Sequence, residues 1–187
     1  MNITISQEAN LPTRFGMFKV KAFKEGDKEH LVVYKEKLDE IPIVRVHSEC
    51  LTGDALGSFK CDCGEQLEYA LKLAERTNGM VIYLRQEGRN IGLLNKINAY
   101  ALQDEGLNTV EANHQLGFRA DERTYEIVTT ILHHFNIHKI KLLTNNPDKV
   151  KSINDIEIVE RVPIVIESNE YNEDYLNVKR DEMGHIF

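Results

Sequence analysis

Met80-Val-Ile-Tyr-Leu84, then Arg85-Gln-Glu-Gly-Arg-Asn-Ile-Gly92, then Leu93-Leu-Asn-Lys-Ile-Asn-Ala-Tyr-Ala-Leu-Gln103: this run from strand through loop to helix decides the fold class. The first five residues are an unbroken apolar stretch, the mark of a buried strand. Over Ile91–Gln103, Leu94, Ile97 and Ala101 recur at helical spacing, and Gly106 supplies a stop. Downstream the alternation repeats. Residues 121–135 read as a helix whose opening Asp-Glu suits a positive N-terminus. Ile140–Leu143 reads as a strand, and Asn146-Pro147 as a helix start with Pro in its first turn. Ile156–Val159 and Pro163–Ile166 read as short strands. Upstream, residues 15–23 alternate, with Phe18, Val20 and Ala22 on one side and Lys19 and Lys21 on the other. The turn Glu25-Gly-Asp-Lys28 returns into Leu31–Tyr34, and Ile43–Val46 is a further strand. Leu67, Ala70, Leu71 and Ala74 form a helix ending near Asn78-Gly79. Hairpins followed by strand–helix units predict an α/β fold: a single layered domain over residues 1–187, with a mixed β-sheet flanked by helices.

A chain of 187 residues, 42% apolar and 28% charged, can bury a core without disulfides. Its 23 basic and 30 acidic residues give a net charge of −7, which argues against long nucleic acids as partners. The acid is unevenly spread: residues 1–153 carry 20 basic and 21 acidic groups, and the segment 154–187 carries 3 and 9. No apolar run has the length of a membrane span, so no membrane partner is expected. The N-terminus lacks a secretory pattern, and three cysteines is odd and few, so a cytoplasmic protein with reduced thiols is predicted.

Those cysteines, Cys50, Cys61 and Cys63, fall within 14 residues as C-x10-C-x-C. Three small buried hydrophobes is one reading. Their clustering in a polar stretch favours a zinc site, since thiolates suit Zn²⁺. Three protein ligands lean toward a catalytic site with an open position, whereas His47 as a fourth would close it into a structural one. A redox role would prefer Cys-x-x-Cys. His47-Ser-Glu49 has the H-x-E form of zinc nucleobase deaminases, but the P-C-x-x-C that accompanies it there is missing.

Three loops carry basic residues after strands. Thr144-Asn-Asn-Pro-Asp-Lys149 precedes a helix whose amides can bind an anion. Arg85 and Arg89 can fork onto phosphate oxygens, and Gly88 and Gly92 permit close backbone approach. Arg45 stands just before the first Cys. Together they predict a phosphorylated substrate attacked by metal-activated water, with Glu49, Asp54 or Glu87 as candidate holders of Mg²⁺. A non-catalytic zinc-stabilised nucleotide-binding protein, or a zinc hydrolase of another purine nucleotide, fits the same residues. His133, His134 and His138 cluster at a helix end, where a negative C-terminus favours them.

Arg45-Val-His-Ser-Glu-Cys-Leu-Thr-Gly-Asp54, Cys61-Asp-Cys-Gly64 and Arg85-Gln-Glu-Gly-Arg89 resemble the GTP cyclohydrolase II family of riboflavin biosynthesis. So do Ala112-Asn-His-Gln-Leu-Gly117, Asp121-Glu-Arg123, Leu143-Thr-Asn-Asn-Pro147 and Met183-Gly-His185. The resemblance implies conversion of GTP to 2,5-diamino-6-ribosylamino-4(3H)-pyrimidinone 5′-phosphate, formate and pyrophosphate by a homodimer using Zn²⁺, one per subunit, and Mg²⁺. It implies Cys50, Cys61 and Cys63 as zinc ligands. Arg45, Val46, His47, Ser48, Glu49, Gln66, Glu87, Gly88, Arg89, Thr109, Thr144 and Lys149 are the implied GTP site. It makes Asp121 the proton acceptor, Arg123 a proposed nucleophile on the α-phosphorus, and Tyr100 a catalytic neighbour of the purine. From chemistry alone a guanidinium stays protonated, which points Arg123 toward charge stabilisation instead.

Overall fold

The computed structural model describes residues 2–186. An eight-stranded mixed sheet runs through them. In chain order its elements are β1 (Ile3–Ile5), β2 (Ala9–Thr13), β3 (Gly16–Glu25), β4 (Lys28–Tyr34), β5 (Ile43–Ser48), α1 (Leu51–Asp54), α2 (Cys63–Thr77) and β6 (Met80–Leu84). Then come α3 (Gly92–Asp104), α4 (Thr109–Gln115), α5 (Glu126–His134), β7 (Lys139–Leu143), α6 (Pro147–Ser152), β8 (Glu157–Val162) and α7 (Glu173–Asp181). The strand order is β1-β3-β4-β6-β5-β7-β8, with β2 also on β3. Pairings from β1 to β6 are antiparallel, and β6, β5, β7 and β8 run parallel. This is the expected α/β architecture, hairpins first and parallel units after.

The apolar run of β6 is explained by its position inside the sheet. Side chains alternate between faces along a strand. Met80, Ile82 and Leu84 pack with Ile127, Val128, Ile131 and Leu132 of α5, while Val81 packs with Ala70 and Ala74 of α2. With both faces covered, every residue of β6 but Tyr83 is buried. Ile82 is fully buried. Ile82→Ala is therefore expected to cost about 2–5 kcal/mol, read as a lower midpoint in denaturant and in thermal melts; a midpoint unchanged in both would contradict this packing.

The same two-sided cover corrects the reading of β3. Phe18 and Val20 pack on the α2 side, but Phe23, on the face of Lys19 and Lys21, is fully buried in the α5 core against Phe135. Asn78 ends α2 in the left-handed conformation, φ 51°, and its amide reaches Ala74 O.

Two further expectations fail for local reasons. Residues 121–125 are not helical, and α5 opens at Glu126. Asp121 accepts from the Arg123 amide, and carbonyls of this segment serve side chains of the β6–α3 loop: Arg89 Nη1 donates to Ala120 O, Asn90 Nδ2 to Glu122 O and Gln86 Nε2 to Thr124 O. Side chains thus compete with the helical ladder and win. Residues 163–166 form no strand. Pro163 has no N–H to donate, and the Asn145 side chain takes the place of a partner strand, accepting from Ile164 N at 3.0 Å and donating to Ile164 O at 2.5 Å. Elements not anticipated are β1, β2, α1, α4 and α7. Among the described residues no helix is long and apolar enough to cross a membrane.

The carboxyl ends of β5, β6 and β7 lie side by side, since these strands are parallel neighbours. The loops after Ser48, Leu84 and Leu143 therefore converge on one edge, the usual place for a ligand in such sheets.

Candidate active site

At that edge opens a cavity of about 130 Å³, continuous with solvent. All the sequence-derived site residues except Val46 and Asp121 line it. Val46 points into the α5 core, and only its carbonyl faces the site, accepting from Lys149 Nζ at 2.8 Å. Asp121 stands behind Arg123.

The three thiols occupy one end. Cys50 follows β5 and precedes α1, Cys61 lies in the loop between α1 and α2, and Cys63 begins α2. Their sulfur atoms all lie within 4.8 Å of one another, with Cys50 and Cys61 3.6 Å apart. Zinc bonded to sulfur at about 2.3 Å in a tetrahedral arrangement needs sulfurs about 3.8 Å apart, so the three fit. Gly53 closes the floor: a Cβ there would stand 2.8 Å from Cys61 Sγ and 3.2 Å from Cys50 Sγ. Among the described residues no His, Asp or Glu joins this group. His47 is engaged elsewhere, with Nε2 3.0 Å from Asp54 Oδ1 and its ring stacked on Tyr83. Burial holds the His47 pKa below its usual value despite Asp54, so the ring is neutral at pH 7.

The thiols interact strongly. Hydrogen bonds from Cys61 and Cys63, aided by Lys96, hold the Cys50 thiol far below its ordinary pKa. The bond to Cys50 pushes Cys61 up to about 11, and Cys63 lies well above the usual value for the same reason. A metal binding all three as thiolates displaces whatever protons they carry.

The other end is cationic. Arg45 is buried, donating to Leu143 O at 3.1 Å and to Gln66 Oε1 at 2.5 Å. Lys149 is buried beside it, and burial together with Arg45 and Arg123 holds its pKa well below the usual lysine value. Arg123 is paired with Asp121 through Nε at 2.9 Å and Nη2 at 2.5 Å. Burial works against the Arg123 charge, but Tyr125 and Asp121 more than restore it, so its pKa lies above the usual value. Burial likewise raises the Asp121 carboxyl, and the Arg123 bonds outweigh it and hold the pKa below the usual range. Arg45 Nε and Arg89 Nη2 are buried donors with no partner among the described residues. Arg89 adopts φ 58°, which turns its side chain back to Ala120 O through Nη1 at 3.1 Å. A packed cluster of cations with idle donors calls for an anion.

The candidate magnesium carboxylates are committed elsewhere. Asp54 serves His47, the Cys50 amide and Tyr83. Glu87 serves Lys96 and the amides of Gly88 and Leu51. Glu49 accepts from Arg85 at 2.8 Å. They do not converge on a magnesium seat built by the protein.

A third wall was missed by sequence reasoning. Tyr175, Lys179, Met183 and His185, all in the acidic segment, line the cavity. Lys179 Nζ bonds Asp62 Oδ1 at 2.7 Å, with side-chain exposures of 11% and 2%. Asp62 lies between two cysteines, so this ion pair docks α7 directly on the thiol loop. Ile186 N donates to Asn145 O at 2.9 Å, fastening the end of the segment to the loop between β7 and α6. The only signal in the sequence was Met183-Gly-His185; nothing local marked Tyr175 or Lys179. Removing one partner of a buried ion pair costs about 3–5 kcal/mol. Lys179→Met is therefore expected to release α7, seen as protease cleavage within 173–186 in a chain otherwise folded; resistance equal to the parent would show that the pair does not hold the helix.

The family model for GTP cyclohydrolase II matches residues 4–163. The chain belongs to the GTP cyclohydrolase II family. A relative from Campylobacter hominis named GTP cyclohydrolase-2 is 63% identical over 186 residues, covering 100% of this chain and 96% of its own. One of the same name from Campylobacter fetus is 63% identical over 189 residues, covering 100% and 97%. Another from Helicobacter pylori is 51% identical over 188 residues, covering 98% of each. The GTP cyclohydrolase II match spans the thiol loop and the cationic loops but ends before α7.

Proposed function

We propose that this chain is a zinc-dependent GTP cyclohydrolase II, hydrolysing GTP to 2,5-diamino-6-ribosylamino-4(3H)-pyrimidinone 5′-phosphate, formate and pyrophosphate, the first step of riboflavin biosynthesis. One observation carries it: a single cavity with three convergent thiols at one end and a buried, under-partnered cation cluster at the other. That spacing of a hydrolytic metal corner from an anion corner suits a nucleotide whose base and phosphates are both attacked.

Cys50, Cys61 and Cys63 would hold zinc. When bound in such a site, zinc lowers the pKa of a coordinated water to about 7 and supplies a nucleophile at neutral pH. Tyr100 stands over this corner, its hydroxyl 3.3 Å from Thr52 Oγ1, and positions the purine so that C8 faces the thiols. Arg45, Arg89, Thr144 and Lys149 bind the phosphates, and Arg89 Nη2 and Arg45 Nε gain the acceptors they lack. Gly88, at φ 60°, keeps the backbone of the loop close to Lys96 and Ile91, and Glu87 fixes the loop to the Leu51 amide. Gln66 aims Arg45. His47, Ser48 and Glu49 form the floor between the two ends, and Thr109 closes the side through α4. Asp121 holds Arg123 against the α-phosphate, where its charge stabilises the leaving pyrophosphate. Mg²⁺ would enter on the triphosphate oxygens, since magnesium commonly needs few protein ligands when phosphates supply the rest. A homodimer without nucleic-acid partners, in the cytoplasm, completes the reading.

The test is direct. Folded, zinc-loaded protein incubated with GTP and Mg²⁺ is expected to release formate and pyrophosphate together. Release of neither would overturn the reading; turnover of another purine nucleotide in preference would replace GTP as the substrate.

A further inference from the structure

Helix α3 is turned with its apolar face outward: Leu94 and Ile97 are 76% and 47% exposed, whereas Lys96 is 8% exposed and lines the cavity. A buried lysine needs a reason. Its Nζ lies 3.1 Å from Cys50 Sγ, 3.0 Å from Thr52 Oγ1 and 2.8 Å from Glu87 Oε1. An ammonium has three N–H donors and no acceptor. All three are spent on the protein itself, so none remains for substrate. Glu87 in turn accepts from the Gly88 and Leu51 amides. Lys96 therefore joins a thiol, helix α1 and the Arg89 loop at one point.

We propose that Lys96 is a positioning residue of the metal centre: its N–H to sulfur bond fixes the Cys50 thiolate and draws charge from it. The same ammonium, through Glu87, ties that sulfur to the loop that presents Arg89 to the phosphates. The proposal rests on the three-thiol zinc reading. Three thiolates on a dication leave one net negative charge in a poorly hydrated corner, and a cationic donor on one sulfur offsets it. A sulfur that shares its lone pair with a charged donor gives less to the metal, which keeps the metal more acidic toward its remaining ligand.

The test compares parent, Lys96→Met and Lys96→Arg, full chain, with zinc affinity measured by chelator competition and with the cobalt(II) form examined by absorption. Lys96→Met keeps the length and loses the donor. It is expected to weaken zinc at least tenfold, as losses of outer hydrogen bonds to metal ligands do, and to move the sulfur-to-cobalt charge-transfer band to lower energy. Lys96→Arg keeps a charged donor and is expected to fall nearer the parent in both. Parent-like affinity and band position in Lys96→Met, or equal shifts in both variants, would overturn the proposal. Should Lys96→Met not fold, the parent answers alone. Labelled with ¹⁵N-lysine and loaded with ¹¹³Cd, it should show one slowly exchanging ammonium signal that shifts on metal loading, and absence of that signal would overturn the proposal. Parent protein that takes up no metal at all would instead remove the zinc reading, and the role of Lys96 with it.

Discussion

Cys61→Ser is expected to reduce zinc to under a tenth of an equivalent after dialysis and to lower formate release by at least a thousandfold. Cys61 is buried and 3.6 Å from Cys50, within the thiol group. A serine hydroxyl in its place is a harder and far weaker acid than a thiol, so it would remain protonated and bind zinc poorly. Structural zinc sites with four ligands are worth about 10–16 kcal/mol, about 2.5–4 kcal/mol per ligand, and loss of Cys61 removes a share of that size. The size change is small and the fold should survive, which circular dichroism checks. Metal analysis reads the first effect and a formate assay the second. Full zinc stoichiometry in the variant would overturn the ligand assignment.

Arg123→Ala is expected to lower kcat by about 10²–10³, the effect of losing one preorganised donor to transition-state charge. The geometry argues for that role over nucleophilic attack. Arg123 is locked to both oxygens of Asp121, and its pKa is raised. Deprotonating even an unshifted arginine at pH 7 would cost at least about 7 kcal/mol. Asp121, held below the usual carboxyl range by the same bonds, is a poor acceptor for that proton. Arg123→Lys keeps charge without the fork and should retain more rate than Arg123→Ala. Alkaline quench, which preserves a P–N bond, with GTP labelled at the α-phosphate should trap no guanylyl-protein adduct; an adduct that maps to Arg123 would establish attack by it. The pH dependence follows with its sign. Asp121 has a lowered folded pKa, so the pair's contribution to stability is fully present above the ordinary carboxyl pKa and is lost only as pH falls through the folded value. Across neutral pH it should be flat.

The chemistry was legible where it is written in contiguous residues. Cys50, Cys61 and Cys63 mark a candidate metal site by type and spacing, and Thr144-Asn-Asn-Pro147 marks a strand end feeding a helix, because both depend on neighbours in the chain. The face of Lys19 and Lys21 reads as polar by its local period, and only the packing of α5 over that face of β3 buries Phe23. Residues 121–125 were misread because the Asp-Glu opening is a good helix start in isolation, while the Arg89, Asn90 and Gln86 side chains that claim the neighbouring carbonyls come from about thirty residues away. Nothing local in the acidic segment places it at the site; the ion pair of Lys179 with Asp62, more than a hundred residues apart, brings it over the thiols.

Taken by itself, the sequence determined the fold class, the family, the three thiols and the basic loops, since periodicity, spacing and residue type are local properties. Tertiary structure decided that His47 turns to Asp54 and leaves the thiols three, that Lys96 gives all its donors to the protein, and that α7 walls the cavity. Each of these depends on which groups meet in space once burial makes an unpaired charge or donor costly, which periodicity and residue type do not report even where the partners, such as His47 and Asp54, stand close in the chain.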